Sequence, residues 1–471
     1  MSCPRPFLFV PLLALVTAAC SGGADGTQPS EGSDASSGGA SIFDSAVVHA
    51  IEVSFDERDY DEMIATFADS GDKTWIEASV TIDGTAYEQV GLRLKGNSSL
   101  AGLGGQFGGA GPGGVGQASA ESPEELPWLI RLDEFVEGQD HQGYEDIVVR
   151  SNGSETALNE AVALDLLAEA GLASQEAAAT SFTVNDSDTV LRLAIEHPDD
   201  DAWQDTSFEG DGALYKAEST GDWSYHGDDP ADYEEVWDQE GGSDNTDLTP
   251  LIDFLQFLNE SDDATFAAEL GDRLDVDAFA RYLAMMDLVS NFDDIDGPGN
   301  NAYLWYDIAT EQFTVVPWDL NLAFGALGGE GGPGGGGPPE GFEPPEGVDP
   351  EDLPEGFDPS QRPEDFELPE GVDPGDLPDG FDPGQGPPGG GAGGFGGGSN
   401  VLVERFHADP ELEALYQEQL VALRAELYGG ETAEEILASW VETLSSGASD
   451  LVDEATIDGE AAAIAEQFTT T

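Results

Sequence analysis

Apolar and polar residues alternate along 47–57 (VVHAIEVSFDE) and 75–95 (WIEASVTIDGTAYEQVGLRLK), the period of half-buried β-strands. Asp83-Gly84 inside the second run signals a hairpin, because such a tight turn needs positive φ. Between these runs, 57–69 has weak helical spacing. PWLIRLDEF (127–135) and IVVRSN (147–152) read as further strands, the second ending in a turn. From 154 to 173 the period becomes helical. Leu158, Ala161, Val162, Leu166 and Ala170 recur turn by turn, with Ser154 the expected N-cap and Gly171 the stop. TSFTVN and TVLRLAIE flank Asp186-Ser187-Asp188 as a hairpin. Residues 247–260 and 263–292 are expected to be mostly helical and 301–319 a second hairpin. Residues 401–427 and 431–455 read as two amphipathic helices that pack together. Strands mixed with helices predict an α+β fold over 42–455, followed by a tail, 456–471.

Two stretches interrupt this pattern. The insert 101–124 is glycine-rich over 102–120 and cannot hold a packed core. The insert 326–400 carries a repeat, PEGVDPEDLPEGFDPSQ from Pro345 and PEGVDPGDLPDGFDPGQ from Pro369. Two copies are too few for a solenoid, and the composition is that of a disordered acidic spacer. Its carboxylates would suit calcium, but their spacing matches no defined calcium loop. At the N-terminus, Arg5 precedes an apolar run (7–16) and the small residues Thr17-Ala18-Ala19 precede Cys20. This reads as a signal peptide, 1–19, with Cys20 as the lipidated residue of an exported, tethered chain; plain secretion is the alternative. Residues 20–41 are a flexible polar tether. Cys3 would leave with the signal, so the mature chain has no intramolecular disulfide.

Charge narrows the partners. The chain holds 97 acidic and 14 basic residues, a net −83. Phosphate backbones would be repelled, which excludes nucleic acid. The insert 326–400 has 17 acids and Arg362, so −67 remains elsewhere and the acidity is global. Such a surface stays solvated in concentrated salt, which screens its self-repulsion. Lysine occurs only at Lys73, Lys95 and Lys216. Lys73, in SGDKTW, reads as a solvated surface amine.

The candidate chemistry centres on Asp319. FTVVPW (313–318) reads as a buried strand that stops at this acid. Upstream, Asp296 and Asn301 form D-x-x-x-x-N on a glycine-proline loop, and one hairpin separates them from Asp319. Protein kinases use this order of parts. Asp296 would accept the proton of a substrate hydroxyl, while Asn301 and Asp319 would hold Mg²⁺, which keeps several waters and takes few protein oxygens. Asp293 and Asp294 are expected to cap a turn or face solvent. Other chemistries fail on inventory. The five histidines have no zinc-ligand spacing, no G-x-S-x-G elbow occurs, and no G-K-[ST] follows the glycine runs.

VGLRLKGNSS (90–99), GYEDIVVRSN with its following helix, GALYKAE (212–218), NFDDIDGPGNNAYLWYDIATEQFTVVPWDLNLAFG (291–325) and LVERFHADPELEALYQEQL (402–420) resemble the spore-coat protein H (CotH) kinase family. The resemblance spans about 47–455 without the two inserts. It implies an atypical, two-lobed protein-kinase-like fold that binds ATP and Mg²⁺ (or Mn²⁺) and phosphorylates serine on extracytoplasmic proteins. By position it makes Asp319 the metal-binding Asp, Asp296 the catalytic Asp and Asn301 the second metal ligand, with Asn300 the alternative. Lys95 becomes a phosphate contact with Asn97, Ser98 and Ser99 on its turn, although Arg93 and Lys95 could equally face solvent. Lys216 would reach the nucleotide, and Glu196 ends a strand near the adenine. Glu160 could pair the phosphate-binding base, but a surface acid is the preferred reading of Glu160. Two departures stand out. EELPWLIRLDEF offers Arg131 where the family often has lysine, and Arg131 could hold phosphate in a different shape. Asn321 stands where an Asp is usual. The expected partners are a protein of the envelope or a secreted protein, modified on Ser or Thr, and the membrane through a lipid anchor. A catalytically inactive surface scaffold or adhesion lipoprotein is the alternative.

Overall fold

The alternating runs pair into a closed sheet. The computed structural model describes residues 40–104, 118–218, 221–234, 236–241, 247–297, 300–325 and 400–470. Seven strands form the barrel: β1 (His49–Phe55), β2 (Ile76–Ile82), β3 (Thr85–Leu94), β4 (Trp128–Arg131), β5 (Asp146–Val149), β6 (Ala177–Val184) and β7 (Val190–Ile195). Their order is β1-β2-β3-β4-β5-β7-β6. Neighbours run antiparallel except at the closure, where β1 pairs parallel with β6 in the register His49↔Thr180. Ile51, Val80, Leu92, Ile130, Val149 and Phe182 join one buried core. Helix α1 (Glu57–Ser70) adds Tyr60, Met63 and Phe67 to it. Its ends explain its limits: the Asp56 carboxylate accepts from the Arg58 amide, and Gly71 stops it with φ 85°.

Helix α2 (Leu158–Glu169) follows β5 and is buried on nearly every face, from Leu158 to Leu167. It starts later than its sequence suggests. Ser154 is not its N-cap; Ala157, at φ 56°, precedes the first turn. The Ser154 hydroxyl instead accepts from the Ala157 amide at 3.1 Å and donates to Glu460 at 2.7 Å.

Beyond β7 come α3 (Asp201–Ser207) and a second sheet. Its strands are β8 (Gly212–Ala217), β9 (Trp237–Gly241), β10 (Ala302–Asp307) and β11 (Gln312–Pro317), in the order β11-β10-β8-β9. Helices α4 (Thr249–Glu260), α5 (Asp263–Glu269) and α6 (Val276–Leu288) lie between β9 and β10 in the chain. The stretch expected to be mostly helical over 263–292 holds two helices, because a turn at Leu270–Asp272 ends the first and Asp275 caps the second. Similarly, Asp409 ends α7 (Val401–Ala408) and caps α8 (Pro410–Leu423), whose first residue is a proline without an N–H to lose. Helices α9 (Thr432–Gly447) and α10 (Glu454–Thr470) close the chain. The expected tail is therefore helical, and its Ile457, Ile464 and Phe468 enter the larger core.

The fold is mixed α+β, with one apolar core in the barrel and a second around α2, the four-stranded sheet and the helices. Among the described residues no helix is long and apolar enough to cross a membrane. The expected signal peptide, Cys20, the tether up to 39, the insert over 105–117 and the acidic repeat over 326–399 lie outside the described residues. The ends of the glycine-rich insert belong to the fold: Leu103 is buried in the barrel core and Ala118 packs against it.

Candidate functional site

Strand pairing assembles the site. Ala302 opposes Pro317 at the open end of the β10–β11 hairpin, so Asn301 and Asp319, just beyond them, emerge together. The neighbouring register Tyr303↔Lys216 brings Lys216 to the same end of the sheet. Asp319 has φ 61°, a left-handed backbone uncommon outside glycine, of the kind that clusters where a side chain must be aimed.

The acid beside Asn301 is not the one its spacing suggests. Asn301 Nδ2 donates to the Asp293 carbonyl at 2.9 Å and to Asp293 Oδ2 at 3.0 Å. Two acceptors on one side fix the amide and turn its Oδ1 the other way. Asp296 instead accepts from the Asn400 amide at 2.5 Å, ahead of α7. It lines a separate cleft of about 250 Å³ with Asp287, Asn291, Asp294 and His407. Burial pushes Asp294 up to about 7 and also raises Asp296. Asn300, the alternative ligand, is consumed structurally: it accepts from Trp223 Nε1 at 2.9 Å.

All three lysines of this lysine-poor chain converge here. Lys95 and Lys216 face the Trp318 ring at 5.6 and 5.9 Å, and Lys216 lies 4.3 Å over Tyr303. Lys73 is no solvated amine. It donates to Asn97 Oδ1 at 2.7 Å, and burial with the charge of Lys95 lowers it to about 8. Burial, with Lys95 next, lowers Lys216 to about 8 as well. Several ammonium groups held together at this cost make a cationic cluster, the charge that an anion would complement. The turn that carries Lys95 needs Gly96, at φ 96°, where a side chain would also meet Ser99 Oγ. Asn97 serves Lys73 on that turn; the Ser98 side chain lies outside the description.

Lys95 is fixed by residues its own sequence neighbourhood does not reveal. Its Nζ lies 2.6 Å from His197 Nε2, and His197 Nδ1 lies 2.8 Å from Asp146 Oδ2. His197 is fully buried, which lowers its pKa; with the proton on Nδ1 toward Asp146, its Nε2 accepts from Lys95, and Asp199 Oδ2 lies 3.1 Å from the same nitrogen. Arg131 grips the other side of Asp146 through two bonds, 2.8 and 2.6 Å. Burial would raise Asp146, but Arg131 and His197 outweigh it and hold the acid well below the usual carboxylate range. Arg131, expected on phosphate, is thus the strut behind His197. Beside it opens an acidic cleft of about 360 Å³ lined by Arg131, Asp146, Asp199 and Glu240 among others. Asp199 Oδ1 is buried there with no hydrogen-bond partner among the described residues.

Glu160, expected at the surface, is buried, and so is Glu196 at the end of β7. Glu196 accepts from the Glu176 amide at 2.7 Å, and burial raises it to about 7. Glu160 on α2 is 2 % exposed and pairs with Arg150, whose Nε donates to Oε2 at 3.0 Å. Arg150 Nη2 also pairs with Asp319 Oδ1. Arg150, absent from the expected site, therefore joins the first helix after β5 to the acid after β11. Asn159 on the same helix donates to the Asn321 carbonyl at 2.5 Å and fixes the loop behind Asp319.

The model of the family described as CotH kinase protein matches residues 92–457. The chain belongs to the CotH family. No curated protein matches the chain. The CotH match takes in every residue of this site except Lys73, and leaves out β1, α1, β2 and most of β3, which complete the barrel, together with most of α10.

The donor set fits a hard divalent cation. Among the described residues no three acid, histidine or cysteine side chains gather as a metal cluster. A cation here would rest on Asp319 and the Asn301 amide oxygen, with water and phosphate oxygens completing its shell, the habit of Mg²⁺.

Proposed function

We propose that this CotH protein is an exported kinase, tethered through Cys20, that transfers the γ-phosphoryl group of ATP to Ser or Thr of an envelope or secreted protein. Its fold on this reading is protein-kinase-like, the barrel and the four-stranded sheet forming its two lobes. One observation carries the reading: Asn301, held by Asp293, and Asp319 leave the paired ends of one hairpin, the end to which the neighbouring strand brings Lys216.

The roles follow from the geometry. Lys95 and Lys216 bind phosphate oxygens, and His197 holds Lys95 so that its remaining N–H groups face the ligand. Asp199 accepts from a sugar hydroxyl through its unpartnered oxygen. Asp319 and Asn301 would hold Mg²⁺ or Mn²⁺, which when bound neutralises charge on the phosphates. Asp293, oriented by Asn301, accepts the proton of the acceptor hydroxyl.

Thermal denaturation of the mature chain tests this. ATP with Mg²⁺ should raise the midpoint of the wild type and not that of Asp319→Asn. An equal rise in both would remove Asp319 from the site. The inactive-scaffold reading draws on one observation, the Arg150–Asp319 pair, which occupies the carboxylate a metal needs. It predicts no nucleotide-dependent rise in either protein at any salt concentration.

A further inference from the structure

We infer that Arg150 is the resident counter-cation of Asp319 and couples metal binding to nucleotide binding, an inference that rests on the kinase reading above. Arg150 follows β5, and its amide donates to the Leu193 carbonyl of β7 at 2.9 Å, so its backbone is fixed to the barrel. The side chain is buried between two acids, Glu160 and Asp319. A buried guanidinium needs such partners, and without it the two carboxylates would repel each other. The three groups differ in access: the side chains of Glu160 and Arg150 are 2 % and 9 % exposed, that of Asp319 25 %. A cation from solvent therefore meets Asp319 first, and meets it already neutralised.

A divalent ion alone must displace a positive partner that has nowhere else to go. Nucleotide phosphates provide the alternative. The Trp318 ring lies 5.8 Å from the Arg150 guanidinium, and the same ring faces Lys95 and Lys216. Phosphates held by those lysines stand next to Arg150. Nε and Nη2 both lie 3.0 Å from the Glu160 carboxylate, so the guanidinium stays on Glu160 while phosphate replaces Asp319 as the acceptor for its remaining N–H donors. Asp319 is then released to the metal. Metal and nucleotide each favour the other by the same factor, as linkage requires. This device keeps the acid from collecting divalent ions in an empty site.

The test is Mn²⁺ binding to the full mature chain, read as free Mn²⁺ by electron paramagnetic resonance, with and without the non-hydrolysable analogue adenylyl imidodiphosphate. The double variant Arg150→Gln/Glu160→Gln removes the guanidinium and one buried acid together, so no buried charge is stranded. It should bind Mn²⁺ without nucleotide about tenfold more tightly than the wild type, within the usual range of coupled sites. Arg150→Lys keeps the charge and the fold but loses the fork, and should show a smaller gain of the same sign. Unchanged or weaker Mn²⁺ affinity in the folded variants overturns the role of Arg150. If the wild type binds no Mn²⁺ even with the analogue present, the kinase reading itself falls, and this inference with it.

Discussion

Lys73 and Lys216 both lose their protons near pH 8, because burial and the charge of Lys95 disfavour the ammonium form. Glu240, raised to about 7 chiefly by burial, becomes negative as the pH passes neutrality. Both changes act in one direction on an anionic ligand. The lysines are charged below pH 8 and neutral above it, while the acid adds repulsion above pH 7. Nucleotide affinity should therefore fall as the pH rises from 7 to 9, by about tenfold or more if one charge-assisted contact is lost. Calorimetric titration with ATP and Mg²⁺ across that interval checks it, and a flat or rising affinity would disprove the cluster's role. At this scale the sequence was partly legible. Asp319 stands out because a β-prone apolar run stops at it, and Lys95 and Lys216 because lysine is so scarce. Arg150 and His197 gave no local sign: their partners Asp319 and Lys95 lie 169 and 102 positions away. The D-x-x-x-x-N spacing pointed to Asp296, whereas folding turns Asn301 onto Asp293. In a loop with three aspartates, spacing alone does not choose among them.

At the scale of elements, α2 carries the site's supports, Glu160 and Asn159, and α10 holds the start of α2. Glu460 on α10 accepts from Ser154 Oγ at 2.7 Å, from the Glu155 and Thr156 amides at 3.1 and 3.3 Å, and from Thr156 Oγ1. These bonds fix the turn that leads into the helix. Glu460→Ala should cost about 2 kcal/mol, the scale of charge-assisted bonds that leave orphaned donors. It should also weaken Mg²⁺-dependent nucleotide binding by loosening α2. Urea unfolding and the same titration measure both, and an unchanged denaturation midpoint would show that α10 only decorates the surface. The helices and hairpins with a clean period were legible. Strand β9 was not, since WDQEG alternates too weakly, and within the helical stretch 263–292 the division into two helices was not marked, because the capping Asp275 sits among other acids. The last helix escaped notice for want of a strong apolar stripe.

At the scale of the whole molecule, a net −83 makes compactness work against self-repulsion. Raising NaCl from 0.1 to 1 M shortens the screening length from about 10 to about 3 Å. The thermal midpoint should rise steadily over that interval; a midpoint that falls with salt would contradict a surface adapted to screening. The motif stretches made family membership readable, because each pairs chemistry with a turn or a strand end. Barrel closure was not readable: β1 meets β6 in parallel more than a hundred residues along the chain, and half-buried strands carry no record of their partners.

The central claim is that Asp293, Asn301 and Asp319 form one phosphoryl-transfer site. Its most direct measurement is transfer of label from γ-labelled ATP, with Mg²⁺ or Mn²⁺, to the mature chain or to water, in the wild type and in Asp293→Asn, Asp296→Asn and Asp319→Asn. Transfer should be lost in Asp293→Asn and Asp319→Asn and kept in Asp296→Asn. Loss in Asp296→Asn with transfer kept in Asp293→Asn would contradict the account.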